Sequence, residues 1–272
     1  MGSWAVLEEQ MLAERMHAGR MPKSVLVASD ELYQQIAAGP DSVDLLQSLD
    51  AMVVPYSVSP HFHELQVVAV REHLETQGQL INGSLLIKNP YDPDSFELAE
   101  NAIAAFTDAK YHAMANVARL LGAVEVTLKE TRVESQIEAW NAQLKGRFRI
   151  GDGKASAQRE VKKKISALLD VHFVFRGGAP SLEEAREYLE RRNLTNDYRL
   201  RELLEMRTGA SKIIKCELKM SGTKESDSNF ASGLELANAG PVKLLQIGAS
   251  FTKTLQSVKN VEVTTEILFP SE

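Results

Sequence analysis

The stretch Val124-Glu-Val-Thr-Leu-Lys129 decides the fold, because the hydrophobic period of the chain changes there. Val124, Val126 and Leu128 alternate with polar residues, and this period of two predicts a strand with one buried face. The same alternation predicts further strands downstream, over residues 144–150, 161–175, 213–220, 242–253 and 261–269. Because one face of each strand is polar, we expect these strands to form an antiparallel sheet.

Upstream of this stretch, short apolar runs alternate with helical patterns. Ser24–Ala28, Ala51–Pro55 and Ser84–Lys88 are predicted to be strands. Helices are predicted before and between them, near residues 3–17, 30–38, 41–49 and 63–77. Strands that alternate with helices favour a small α/β layer, in which parallel pairing is one arrangement.

Two more helical segments complete this prediction. A helix is expected over residues 94–121, with Asp94 as its cap, Glu97 completing a capping box and Gly122 after its end. A helical insertion is expected over residues 181–208, and a polar loop over residues 221–229. The sequence therefore predicts an α+β protein, with an acidic α/β portion over residues 1–122 and an antiparallel β-rich portion over residues 123–272.

The charge of the chain is unevenly distributed. The whole chain carries 31 lysines and arginines against 37 aspartates and glutamates, a formal net charge of −6. Residues 1–140 hold 9 basic against 20 acidic side chains, whereas residues 141–216 hold 17 against 10, a net of +7. A local excess of this size predicts that the middle of the chain faces an anionic partner.

Six cations of this middle segment share the solvent-facing sides of two predicted strands and form the candidate anion-binding or nucleic-acid-binding site. They are Lys145, Arg147 and Arg149 on the first strand and Lys162, Lys164 and Arg176 on the second. Gly151-Asp-Gly153 would join the strands as a hairpin and pool their charge, which would attract phosphates. The other interpretation is a solvated strand face, or a face docked on the acidic half of the same or another chain.

Signals for catalytic chemistry are sparse. The histidines of His61-Phe-His-Glu64 could face one metal ion, but no further ligand is apparent, so no metal site is predicted. No G-x-G-x-x-G occurs, and Gly153-Lys154 lacks the other residues of a phosphate loop, so no cofactor is predicted. Cys216 is the only cysteine, which excludes an intrachain disulfide, and we expect it to be an inert core thiol.

These features predict a non-enzymatic cytosolic protein that works through its surfaces. Residues 141–176 would contact a nucleic acid or an acidic protein surface, and the opposed charges favour self-association into a homo-oligomer or a protein complex. Two alternatives stay open: a membrane-active protein whose amphipathic strands insert as β-hairpins, and a metal-dependent enzyme that uses the segment His61–Glu64. The acidic N-terminal residues predict no export signal, and the sequence has no run of about 18 apolar residues.

Overall fold

The computed structural model of the chain forms two four-stranded sheets within the residues that it describes, 21–38, 50–57, 65–134, 154–208, 212–238, 251–255, 258 and 260–271. These sheets belong to two compact units. The first unit comprises Met1–Lys88, Asp94–Ala99 and Ser228–Thr252, and the second comprises Asn89–Pro93, Glu100–Asp227 and Lys253–Glu272. The predicted division at residue 122 falls inside the second unit.

The sheet of the first unit is mixed, with strand order β2-β1-β3-β4. Strands β1 (Ser24–Ala28) and β2 (Ala51–Pro55) are parallel, whereas β3 (Leu85–Lys88) runs antiparallel to β1 and β4 (Phe96–Leu98) antiparallel to β3. Every residue of β1 and β2 is buried. Burial on both faces explains why these strands are continuous apolar runs without alternation.

Besides residues 251–255, three helices in the described part of the chain accompany this sheet. They are α1 (Asp30–Ala37), α2 (Leu65–Thr76) and α7 (Asp227–Asn238), which enters the first unit at Ser228. The Ser29 hydroxyl caps α1 by accepting the N–H of Leu32. Val67, Val70 and Leu74 of α2 pack into the core formed by β1 and β2. Gly233 of α7 allows close approach to β3, since a Cβ there would lie 2.4 Å from Ile87 Cδ1.

The sheet of the second unit is antiparallel, with strand order β6-β5-β8-β7. Its strands are β5 (Glu125–Glu134), β6 (Phe173–Val174), β7 (Lys215–Ser221) and β8 (Asn260–Leu268). The pairing of β5 with β8 contains one irregularity, between Leu128 and Glu130. The predicted strands near 124–128, 213–220 and 261–269 are therefore confirmed.

Four helices of the second unit supply the rest of its core. They are α3 (Ala102–Leu120), α4 (Lys154–Leu168), α5 (Leu182–Arg191) and α6 (Tyr198–Thr208). Helix α3 contacts α4, α5 and β8. The helical insertion predicted over residues 181–208 is confirmed, although the side chain of Ser181 makes no capping hydrogen bond.

Several predicted elements are wrong. Residues 161–168 belong to helix α4 and not to a strand, with Val161, Ile165 and Leu169 buried at helical spacing. The long helix begins at Ala102 and not at Asp94, because Phe96–Leu98 pair with β3 instead. Helix α7 begins inside the predicted polar loop, and residues 251–255 are helical. The elements predicted over residues 3–17, 41–49 and 144–150 lie outside the described residues, as do residues 242–250 of the strand predicted over 242–253.

Taken together, helices and strands in one mixed and one antiparallel sheet make the chain an α+β protein, as the sequence predicts. Parallel pairing, which the sequence analysis gives as one arrangement of the α/β layer, holds for β1 with β2, whereas β3 and β4 run antiparallel to their neighbours. In the part of the chain that the structure describes, no helix is both long enough and apolar enough to cross a membrane.

Candidate functional site

Helix α4 changes the arrangement of the predicted basic residues. Positions two apart on a helix point about 200° away from each other, so Lys162 and Lys164 lie on opposite flanks of α4 and do not share a face. Lys164 Nζ donates to Asn101 Oδ1 at 3.0 Å and lies 3.9 Å from Glu160 Oε1. The predicted strand face is therefore wrong for these two lysines. Lys145, Arg147 and Arg149 lie outside the described residues.

A different set of cations is exposed together on α4. Arg159, Lys162 and Lys163 occupy positions i, i+3 and i+4, which are neighbours on a helix surface, and all three are exposed. In the described part of the chain, no salt bridge engages any of them. We call these three residues the α4 row. Arg176 is also exposed, in the loop after β6.

The exposed face of the antiparallel sheet, by contrast, is internally neutralised. Lys129 of β5 and Lys215 of β7 both bind Glu266 of β8, at 3.0 and 2.7 Å. Their hydrogen bonds, Lys215 foremost, lower the pKa of the Glu266 carboxyl. Arg132 binds Glu130 at 2.7 Å on the same strand. The hydrogen bond from Arg132, and then the charges of Arg132 and of Lys219 on β7, lower the pKa of the Glu130 carboxyl. This face therefore has the mixed charges of a solvated sheet surface.

A buried ionic cluster lies elsewhere in the second unit. Lys110 of α3 has only 1% of its side chain exposed. Its ammonium group lies 2.7 Å from Asp197 Oδ2 and 2.9 and 2.8 Å from the two carboxylate oxygens of Glu225. The Tyr91 hydroxyl donates to Glu225 Oε2 at 2.7 Å. We call Lys110, Asp197, Glu225 and Tyr91 the Lys110 cluster. Burial in this cluster, and then the charge of Glu225, raise the pKa of Tyr91 well above its ordinary value.

The connection between α5 and α6 delivers Asp197 to this cluster. Helix α5 ends in a Schellman motif, in which the N–H of Leu194 donates to the Leu189 carbonyl and that of Asn193 to the Glu190 carbonyl. Asn193 takes the left-handed conformation that this motif requires, with φ 54°. Asp197 then caps α6, since its Oδ1 accepts from the N–H groups of Arg199 and Leu200. Its other oxygen is left to bind Lys110.

The turn after β7 delivers Glu225. Ser221 Oγ accepts the N–H groups of Thr223 and Lys224, which turns the chain at the end of the strand. Gly222 lets this turn approach α3 one helical turn before Lys110, because a Cβ there would lie only 2.5 Å from Thr107 Oγ1. A short 3-10 helix over Lys224–Ser226 then presents the Glu225 side chain.

A cavity of about 450 Å³ adjoins the Lys110 cluster. Lys110, Asp197 and Glu225 line it together with three further cations, Arg199, Lys219 and Lys224. The sequence does not reveal this site because its charged residues come from three separate segments and share no spacing. The capping residue Asp197, directly before the amphipathic helix α6, is the one local signal of this site in the sequence.

A second cavity, of about 430 Å³, lies in the first unit beside the chain that leaves β2. Arg71 lines it, but its guanidinium donates to the carbonyls of Pro55 and Tyr56 and binds Glu75. Ser57, also in the lining, donates its backbone N–H and its hydroxyl to Asp30. The polar groups of this cavity therefore stabilise the loop itself.

The remaining candidates carry no chemistry that the structure can assign. His61, His63 and Glu64 lie outside the described residues. Among the residues that are described, no three histidine, cysteine or acidic side chains are grouped to hold a metal ion. Cys216 is half-buried in β7, and this burial raises the pKa of its thiol to about 11. The thiol is therefore protonated near neutral pH and a poor nucleophile.

Comparison with protein-family models, with curated proteins and with solved structures finds no significant match to this chain. A functional hypothesis therefore has to be built on the chemistry of the described residues.

Proposed function

We propose that this chain is a non-enzymatic binding protein that contacts an anionic partner, a nucleic acid in the first instance, through cations of its second unit. The observation that carries this proposal is the α4 row. Its three cations are exposed, adjacent on one helix surface and without a salt bridge among the described residues. When such cations neutralise the phosphates of a nucleic acid, the counterions of those phosphates are released. This release favours binding to a nucleic acid.

Four further cations of the middle segment belong to the proposal. Arg176 is exposed after β6, and Lys145, Arg147 and Arg149 precede α4 by a few residues in the chain. Their charges belong to the segment that carries the net excess of +7 over residues 141–216. We include them in the proposed surface, although helix α4 replaces the hairpin that the sequence suggested.

The proposal also covers the location of the protein in the cell and its association with other copies of itself. We place the protein in the cytosol, where a chain with one cysteine needs no disulfide. The acidic residues of 1–140 on one copy are the competing partner for the α4 row on another copy. Such an association would weaken in salt, as nucleic-acid binding would.

The test is fluorescence anisotropy of a labelled single-stranded DNA oligonucleotide, titrated with the full chain over a salt range of about 50–500 mM. The double variant Lys162→Gln, Lys163→Gln removes two charges and keeps residues that favour a helix. Each lost phosphate contact should reduce the slope of log K against log salt by about 0.7, so the double variant should reduce it by about 1.4.

The matched control is Arg186→Gln, Arg201→Gln, which removes two exposed cations from α5 and α6 of the same unit. This control should keep the slope of the native chain. An absence of salt-dependent binding, or an equal loss in both double variants, would overturn the proposal. Light scattering that shows a salt-sensitive oligomer without DNA binding would assign the α4 row to self-association instead.

A further inference from the structure

We propose that the cavity beside the Lys110 cluster is a binding site for a small organic phosphate, with Lys219 and Lys224 as the residues that bind the phosphate group. This site is separate from the α4 row and from the nucleic-acid binding proposed above. It also goes beyond the sequence, which predicts no cofactor.

The charge balance of the cavity selects an anion. Four cations line it, Lys110, Arg199, Lys219 and Lys224, against the two carboxylates of the Lys110 cluster. Glu202, which binds Arg199 from outside the lining, offsets one of these charges, so the lining keeps an excess of positive charge that favours an anion.

Two of the four cations, Lys110 and Arg199, already bind carboxylates of the protein. An ammonium group has three hydrogens to donate, and the three short contacts of Lys110 to carboxylate oxygens account for them. Arg199 binds Glu202 at 3.2 Å and lies over the Tyr198 ring, 4.6 Å from its centroid. A ligand therefore has to find its charge partner elsewhere in the lining.

Lys219 and Lys224 are those partners. Both residues line the cavity and are exposed, and neither belongs to a salt bridge among the described residues, although the charge of Lys219 acts on Glu130 and that of Lys224 on Asp227. Lys219 is held by β7, and Lys224 by the turn that Ser221 closes with a 3.1 Å hydrogen bond to its N–H. A lysine is a compact charge that binds phosphate from many directions, so two of them on rigid elements form a phosphate site.

The rest of the lining suits an organic group. Met220 and the ring of Tyr198 contribute apolar surface, and Asn196 contributes an amide. A volume of about 450 Å³ falls in the range of small-molecule sites. It is larger than a phosphate ion needs, so we expect a sugar phosphate or a compound of similar size.

The test is isothermal titration calorimetry of the full chain with ribose 5-phosphate, inorganic phosphate and ribose as separate probes, and a melting curve with each. Ribose 5-phosphate should bind and raise the melting temperature, inorganic phosphate should bind more weakly, and ribose should do neither. The variant Lys219→Gln, Lys224→Gln should weaken the binding of ribose 5-phosphate about tenfold for each lysine removed. Circular dichroism checks that this variant is folded.

The α4 variant Lys162→Gln, Lys163→Gln is the matched control and should bind ribose 5-phosphate as the native chain does. No heat and no thermal shift with ribose 5-phosphate, or equally tight binding of inorganic phosphate, would overturn the proposal. The proposed function is tested separately, because the cavity variant should leave the DNA salt slope unchanged. If the cavity variant lowers that slope as much as the α4 variant does, the cavity is part of the nucleic-acid surface. The phosphate-site proposal then fails, whereas the proposed nucleic-acid binding stands.

Discussion

The Lys110 cluster and the α4 row use the same kind of residue in opposite ways. Lys110 is 1% exposed and lies within 2.9 Å of three carboxylate oxygens, whereas the cations of the α4 row are exposed and unbridged among the described residues. A charge taken out of water is strongly destabilising unless partners replace the lost hydration. Buried cations are therefore bound to residues of the fold, and solvated cations are available to a partner.

The largest effect that this comparison predicts is on stability at Lys110. The variant Lys110→Met keeps the apolar stem but leaves the buried Asp197 carboxylate and the partly buried Glu225 carboxylate without their counterion. We expect it to lower the free energy of unfolding by about 3–5 kcal/mol, measured by urea denaturation. The same change on the α4 row, Lys163→Met, should alter that free energy by no more than about 0.5 kcal/mol.

A second substitution tests whether the uncompensated carboxylates cause this loss of stability. Adding Glu225→Gln to Lys110→Met removes one of the two uncompensated carboxylates, so the double variant should recover part of the lost stability. Equally small losses of unfolding free energy for Lys110→Met and Lys163→Met would show that the Lys110 cluster is hydrated. The contrast between the Lys110 cluster and the α4 row would then be wrong.

A smaller effect is expected at Gly222, which determines whether Glu225 reaches Lys110. In Gly222→Ala the new Cβ would lie 2.5 Å from Thr107 Oγ1 and 2.7 Å from Thr107 Cγ2. Overpacking of this kind costs about 1–3 kcal/mol, which urea denaturation would detect. Adding Thr107→Ala makes room for the Cβ, so the two substitutions together should destabilise less than their sum. Strict additivity would contradict the close approach.

The smallest effect is expected at Tyr91. Tyr91→Phe removes the hydrogen bond to Glu225 and should lower the free energy of unfolding by about 1.5 kcal/mol near neutral pH. The pKa of Tyr91 is raised in the folded chain, so its contribution is fully present below the ordinary pKa of about 10 and is lost as the pH rises above it. The stability difference between the native chain and Tyr91→Phe should therefore be constant below that pH and shrink above it. A difference that stays constant above about pH 10 would show that the pKa of Tyr91 is not raised in the folded chain.

Six strands of this protein are predicted directly by the sequence. Continuous apolar runs mark β1, β2 and β3, and alternation marks β5, β7 and β8, because burial on two faces or one leaves a direct pattern in the residues. The sequence predicts that the long helix begins at Asp94, before its observed start at Ala102, because Asp94 and Glu97 form a local capping signal. Pairing of Phe96–Leu98 with β3 outweighed that signal, since it buries Phe96 in the core.

The strand predicted over residues 161–175 shows why alternation is ambiguous. Val161, Ile165 and Leu169 recur every four residues, which fits a period of two and also one face of a helix. Lys163, which strict alternation would bury, is exposed, as α4 allows. This one difference separates Lys162 from Lys164 and replaces the predicted cation set of this segment by the α4 row.

The α+β class and the excess positive charge of the middle segment are determined by the sequence itself, because hydrophobic period and net charge are sums over neighbouring residues. The Lys110 cluster and its cavity depend on the tertiary structure. Lys110, Asp197 and Glu225 lie far apart in the chain, and only a Schellman turn, an N-cap and a glycine packed against α3 bring them within hydrogen-bonding distance. No pattern of near neighbours records such a meeting, because the free energy of burying the three charges together exists only in the folded protein.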